Sequence, residues 1–307
     1  MELSEYIINN RHKYNFINNP QDETNIKIVK RLRFNQPSVL FSIVMPVHNQ
    51  ESIIEKNLNA ILNCTGGRNY EIILILDSCS DNTENTLLEW LDKTQTESYP
   101  LFSKLTILKS ESPLFETAAD NLGFFCAQGN YLLEIQADMT MTEKDYNMKL
   151  LKPFLQDPKI VGISGRCCHS FDGQTGVGKM GRRIELDIKD LPEVDPYYYY
   201  IGDTCNRGPL LIDRQKLVDL GYLDETNFFL DNSDHDFFAR AKLRGWLCGY
   251  CPIEFKSKLE DGTTRKPRDP VNEMVYQKYK YEKNGANGYL FKANLVSRPI
   301  TKHILID

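Results

Sequence analysis

The sequence predicts an α/β protein with a mostly parallel central sheet, helices on both faces and a smaller mixed region beside it. Three observations carry this. Short runs of almost unbroken apolar residues recur along the first half of the chain, as in SVLFSIVMPV and YEIILILD. Segments whose apolar residues recur at helical spacing separate them. Each run ends in a polar cluster, such as His48–Asn49–Gln50–Glu51 or Asp77–Ser78–Cys79–Ser80–Asp81. Strands buried on both faces read as continuous apolar runs, and strands alternating with helices give a parallel sheet. The polar clusters then gather at the carboxyl ends of the strands, where open α/β sheets bind ligands.

The elements follow in order. Residues 1–36 are polar and Asn-rich, with a basic run Lys27–Arg33, and read as a partly helical N-terminal extension whose basic residues form a solvated helix face. The first core strand is 40–45, and a helix follows to about Asn63, ended by Thr65–Gly66–Gly67–Arg68. The second strand is 70–77; Asp81 or Thr83 caps the next helix, 84–93. Strand 104–110, helix 115–128, strand 130–138, helix 143–155 and strand 159–165 continue the alternation. Residues 166–205 read as a long irregular stretch, with a mobile loop at 173–181 closing over substrate. The Tyr197–Tyr200 run within it suits either an aromatic platform for a sugar or a strand with two tyrosines inward. Order returns at 209–225, a helix over 234–246 and a last strand over 246–255. The expected division is an extension over 1–36, one domain over 37–255 with halves 37–138 and 139–255, and a C-terminal extension over 256–307 with a basic loop.

Composition narrows the function classes. With 307 residues and 41% hydrophobic residues the chain buries a sizeable core. A formal net charge of −5 argues against nucleic acid as the main partner. No apolar run approaches the ~20 residues that span a bilayer, and MELSEYIINNRHKY lacks the apolar core of a signal peptide. With eight scattered cysteines, these features give the expectation of a cytoplasmic protein with reduced thiols and no transmembrane anchor.

Four segments place acids or amides at strand ends or helix starts: Asp77 and Asp81, Asn121 and Gly123, Asp138, and Asp234 with Asp236. In SIVMPVHNQE, LILDSCSDNT, NLGFFCAQGNYLLEIQAD and RGPLLIDRQKLVDLGYLDETNFFLDNSDHDFFARAKLRGW, taken together and in order, the chain resembles the family 2 glycosyltransferases of the GT-A fold over about 38–255. The resemblance implies an inverting, non-processive enzyme that moves one sugar from a nucleotide-diphosphate sugar, UDP-linked by preference, to a hydroxyl acceptor. It assigns the donor to Pro46, Val47, Glu51, Asp77, Asn121, Gly123, Gln136, Ala137 and Asp138, with Asp77 at the base. It makes Asp234 the general base, with Asp231 as its rival. Asp138 is the candidate ligand for a Mn²⁺ or Mg²⁺ ion on the diphosphate, with His169 as a further one. Asp236, Arg207, Lys256, Lys258 and Arg265 fall on the acceptor or phosphate side. His48 reads as structural or as a support behind the contact residues. Self-association through the extensions stays open.

The chain departs from the family pattern in several places. The DXD motif is Gln136–Ala137–Asp138, the acidic pair is Ser233–Asp234, and Asp120 stands where Arg is usual. The glutamine–x–x–Arg–Trp motif of processive members is absent. These departures leave a second reading, a degenerate domain that binds a nucleotide or glycan without turnover. A nucleotidyltransferase is a third, but its Gly-rich loop after the first strand is missing. Gly173–Lys179 resembles a phosphate loop except that Met180 replaces the required Ser or Thr. Cys248–x–x–Cys251 sits in a strand and reads as core.

Overall fold

The computed structural model describes residues 26–34, 38–95, 102–172, 176–181, 195–257, 262–263 and 268–306. In chain order the elements are β1 (Ile26–Arg33), β2 (Phe41–Val47), α1 (Ile54–Cys64), β3 (Tyr70–Asp77), α2 (Thr83–Gln95), β4 (Lys104–Ser110), α3 (Phe115–Cys126), β5 (Tyr131–Glu134), β6 (Met139–Met141) and α4 (Tyr146–Gln156). Then come β7 (Ile160–Ser164), β8 (Cys167–Asp172), β9 (Gly176–Gly181), β10 (Tyr198–Gly202), β11 (Thr204–Cys205), β12 (Leu210–Asp213) and α5 (Arg214–Leu220). The chain continues through α6 (Ser233–Leu243), β13 (Leu247–Tyr250), β14 (Phe255–Ser257), α7 (Pro270–Glu282), α8 (Tyr289–Lys292) and β15 (Thr301–Ile304).

Ten strands form one sheet in the order β1-β4-β3-β2-β5-β12-β7-β13-β10-β15. The β4-β3-β2-β5 portion is parallel, which aligns the carboxyl ends of β2 and β3. Beyond it β12 runs antiparallel to both β5 and β7. Every residue of β3 is buried, because apolar clusters pack on both faces of the sheet. Side chains alternate between faces along a strand, so Ile72 and Leu74 join one cluster while Ile73 and Ile75 join the other. At ~25 cal/mol per Å² of apolar surface this two-sided burial is the main force holding the sheet.

Several segments differ from the sequence expectation. The basic run 27–33 is strand β1, paired antiparallel with β4, rather than a helix face. A register shift between Ile28 and Lys30 breaks its two-residue alternation and hides the strand in the sequence. Val29 and Leu32 pack on the core, while Lys27 and Arg31 stay exposed and blunt the sheet edge. The stretch 166–205 is not irregular: β8, β9 and β11 form a second sheet, and residues 176–181 of the expected loop pair with β8. Residues 173–175 lie outside the described residues. The tyrosine run is β10, with Tyr199 and Tyr200 buried on opposite faces. The polar C-terminal region contributes α7 and the outermost strand β15, paired with β10. All eight cysteines are free, and Cys248 and Cys251 are buried in the core. Among the described residues no helix is long and apolar enough to cross a membrane.

Candidate active site

The carboxyl ends of β2 and β3 turn sharply into α1 and α2. Asn49 and Ser78 adopt positive φ there, 49° and 47°. The Asn49 carboxamide oxygen accepts the Ser80 and Asp81 N–H groups, tying the two turns together. Asp81 accepts from the Thr83 N–H and hydroxyl and so caps α2. These turns form the floor of a cavity lined by Pro46, Val47, His48, Gln50 and Asp77. Pro113, Phe115, Glu116 and the Gln136–Ala137–Asp138 segment form its far side. A second, more polar hollow shares Glu116 and Gln136 with the first and adds Arg166, Asn206, Arg207, Asp231, Asn232, Asp234 and His235. The two are lobes of one cleft, with the Gln136 amide donating to Glu116 at 2.6 Å between them.

Asp77 ends β3 at the first lobe. Its two oxygens accept the Leu114 and Phe115 N–H groups at 2.6 and 2.9 Å, which fixes the start of α3 against β3. Burial pushes its carboxyl up, against those two donors and the charge of His48. His48 Nδ1 donates to the Asp77 carbonyl at 2.6 Å, and the ring also lines the cavity.

Asp234 sits at the head of α6 and lines the second lobe. One oxygen accepts the Arg207 N–H at 3.0 Å and the other the His235 N–H at 2.8 Å. Burial pushes its carboxyl up, but the His235 and Arg207 charges and the two N–H donors outweigh this and hold it below the usual range. Asp234 is thus kept ionised, as a proton acceptor requires.

Beneath the shared wall lies a cluster of acids. Ligand-capable oxygens of Glu116, Asp120 and Glu134 all lie within 4.8 Å of one another. The Arg207 guanidinium meets Asp120 at 3.0 Å and Glu116 at 3.3 Å. Glu134 accepts the Gly208 N–H at 2.6 Å. Asp120 Oδ1 and Glu134 Oε1 are buried without a hydrogen-bond partner among the described residues. Burial raises the Asp120 carboxyl to about 7 despite Arg207, and burial with Asp120 alongside lifts Glu134 as well. Burial opposes the charge on Arg207, but the four surrounding acids raise its pKa. The hard oxygen donors fit a Mg²⁺- or Mn²⁺-type ion.

Other expected site residues lie elsewhere. Asn121 is buried and bonded to the Leu223 backbone and the Glu225 carboxylate, linking α3 to the segment before α6. Gly123 packs α3 on the sheet: a Cβ there would come within 2.3 Å of Val44 Cγ1. The Glu51 carboxylate accepts the Asn82 N–H at the surface, outside the cavity lining. Asp236 forms a fully buried ion pair with Arg240 at 2.9 Å and accepts the Leu290 N–H, which takes it out of the cleft. His169 bonds the Asn206 carboxamide and packs edge-on against His235, ring centroids 5.0 Å apart. Burial and the charge of His235 lower its pKa to about 4. Lys256 is exposed on β14; Lys258 and Arg265 lie outside the described residues. Sequence reasoning missed Glu116, Arg166, Arg268 and Asn272. Only Glu116 left a signal, four residues before Asp120 and so on the same helix face.

This architecture is the GT-A fold of glycosyltransferases, as two solved structures demonstrate. One is the mannosyltransferase PcManGT from Pyrobaculum calidifontis in complex with GDP-Man and Mn²⁺ (TM-score 0.53, 14% identity, 81% of this chain and 64% of that one). The other is GalNAc-T7 with UDP, GalNAc and Mn²⁺ (TM-score 0.55, 17% identity, 80% and 48%). The model of glycosyl transferase family 2 matches residues 42–200, just over half of the chain, and the chain belongs to that family. Among characterised relatives, a dolichyl-phosphate beta-glucosyltransferase of Trichomonas vaginalis is 23% identical over 154 residues, 48% of this chain and 45% of its own length. One of Dictyostelium discoideum is 23% identical over 117 residues, 36% and 34%. The alignments thus span less than half of these relatives.

Proposed function

We propose that the protein is an inverting transferase that moves one sugar from a nucleotide-diphosphate sugar, UDP-linked by preference, to a hydroxyl acceptor. The observation that carries this is the Asp234 carboxylate, held by the Arg207 and His235 N–H groups in the second lobe, one shared wall away from a cavity floored by the ends of β2 and β3. In this reading the nucleotide lies against Pro46, Val47 and Asp77, and the diphosphate and sugar against Gln136, Ala137 and Asp138. The acceptor oxygen attacks the anomeric carbon from the Asp234 side while the bond to the diphosphate breaks. Asp234 takes the hydroxyl proton, and the nucleoside diphosphate leaves. A divalent ion held by Asp138 or by the Glu116–Asp120–Glu134 set would supply charge for the leaving diphosphate. Asp234→Asn tests the assignment: transfer falls by ~10²–10⁴ while donor affinity, read by calorimetry, is kept. Transfer that survives in the variant would remove Asp234 from the role.

One observation favours a second reading of the acceptor. Arg166 is nine-tenths buried in the second lobe, and its Nη2 has no hydrogen-bond partner among the described residues. A guanidinium lining the same lobe as Asp234 suits an acceptor that bears phosphate, as the names of the two relatives state for theirs. A phosphate oxygen is already an anion and needs no base. Asp234→Asn separates the readings: a phosphate acceptor would be glycosylated by the variant, a hydroxyl acceptor would not.

A further inference from the structure

The family match stops at residue 200, yet five residues that line the first cavity follow it: Leu230, Gly262, Thr263, Arg268 and Asn272. Among the described residues Arg268 is the one lysine or arginine in that lining, which also holds three carboxylates, Asp77, Glu116 and Asp138. Its place is built by α7. Asp269 caps the helix by accepting the Val271 and Asn272 N–H groups, with Pro270 at the first position. The Asn272 carboxamide oxygen accepts the Ser78 hydroxyl at 3.3 Å, which fastens the helix to the turn after β3. Tyr276 packs on Phe115 and Phe229, ring centroids 6.0 and 5.5 Å away. The Arg268 guanidinium lies 3.7 Å over the Tyr276 ring, with Glu273 at 3.4 Å. An arginine stacked on a fixed ring has few conformations left to lose when it meets an anion.

We propose that Arg268 binds the diphosphate of the donor and that α7 is a wall of the donor site. The inference rests on the nucleotide-sugar reading above. A diphosphate entering a cavity with three carboxylates needs opposing charge, and Arg268 provides it whether or not a divalent ion also binds. It also makes up in part for the carboxylate missing at Gln136.

The test is calorimetric titration of the full chain with UDP and GDP, and with uridine and guanosine, each with and without Mn²⁺. Arg268→Ala weakens the nucleoside diphosphate that the wild type prefers by at least about tenfold, the change expected for one lost charge-assisted hydrogen bond. Affinity for the bare nucleoside stays within about twofold, on the same scale. Arg268→Gln, which retains most of the packing, shows the same loss, so a folding defect in the alanine variant does not decide the result. Glu273→Gln leaves affinity unchanged, because the cation stays in place. Equal diphosphate binding by wild type and both Arg268 variants overturns the inference and leaves the proposed function standing. An equal fall for nucleoside and diphosphate overturns it too, since the contact is then with the nucleoside. If neither diphosphate binds the wild type, the donor reading and this inference fall together.

Discussion

The Arg207 guanidinium lies 3.0 Å from the Asp120 carboxylate, with both side chains buried under the wall between the two lobes. The backbone N–H of the same arginine donates to Asp234. One residue therefore balances the acid cluster and aims the proposed base. Removing it leaves Asp120, Glu116 and Glu134 crowded without their cation. Breaking a buried pair from one side costs ~3–5 kcal/mol, so Arg207→Met should lower the urea midpoint accordingly and abolish transfer. Unchanged unfolding curves would show that the pair carries no net stability.

Asp120 gives the acid cluster a pH signature. Its folded carboxyl lies at about 7, above the ordinary 3.8. A raised carboxyl favours the folded state most at low pH, and that contribution fades as pH rises from about 4 through 7. Asp120→Asn removes the titration, so the stability of wild type relative to variant should decline between pH 4 and pH 8. Urea unfolding across that range reads it; a flat difference would place the proton elsewhere.

Asp234 shifts the other way. Because its carboxyl is held below the usual range, the acid limb of kcat/KM set by the base should lie below that of an ordinary carboxylate. A pH–rate profile on a hydroxyl acceptor checks this, within the range where the fold survives.

Gly123 separates packing from donor contact. A Cβ there meets Val44 and Ile75 at 2.3 and 2.8 Å. Gly123→Ala should cost ~1–3 kcal/mol of stability through overpacking and leave nucleotide affinity unchanged. Calorimetry showing weaker nucleotide binding in a fully stable variant would return Gly123 to the donor site.

Chelation tests the metal. Transfer should fall on EDTA treatment and return with Mn²⁺, and Glu116→Gln should raise the Mn²⁺ concentration needed. Full activity in chelator would leave Arg268 as the main charge on the diphosphate.

The parallel half of the fold was legible because its strands are buried on both faces. The bounds of β3 and β4 were read from the apolar runs alone. β1 was not, because its register shift scrambles the alternation, and β8 and β9 are built from small and polar residues whose pairing is set at long range. Asp77, Asp138 and Asp234 line the cleft, and they were assigned through the resemblance of the ordered segments that hold them at strand ends and a helix head. Asn121 and Gly123 were given to the donor through the resemblance, but the Asn121 side chain bonds the Leu223 backbone and Glu225, and Gly123 lets α3 approach Val44. Arg166 and Arg268 left no signal. Which cation faces a cavity depends on how distant segments fold back, and no local pattern records that.

The position of β12 has a practical consequence. It lies between β5 and β7 and hydrogen-bonds both, yet its residues, 210–213, come after the family match ends. A fragment cut at 42–200 would lose the strand that joins its two halves, together with β1 and β13, and would present raw edges on β4, β5 and β7 to any neighbouring chain. The family boundary marks a unit of inheritance; the unit that folds is larger, and excising the first does not yield the second.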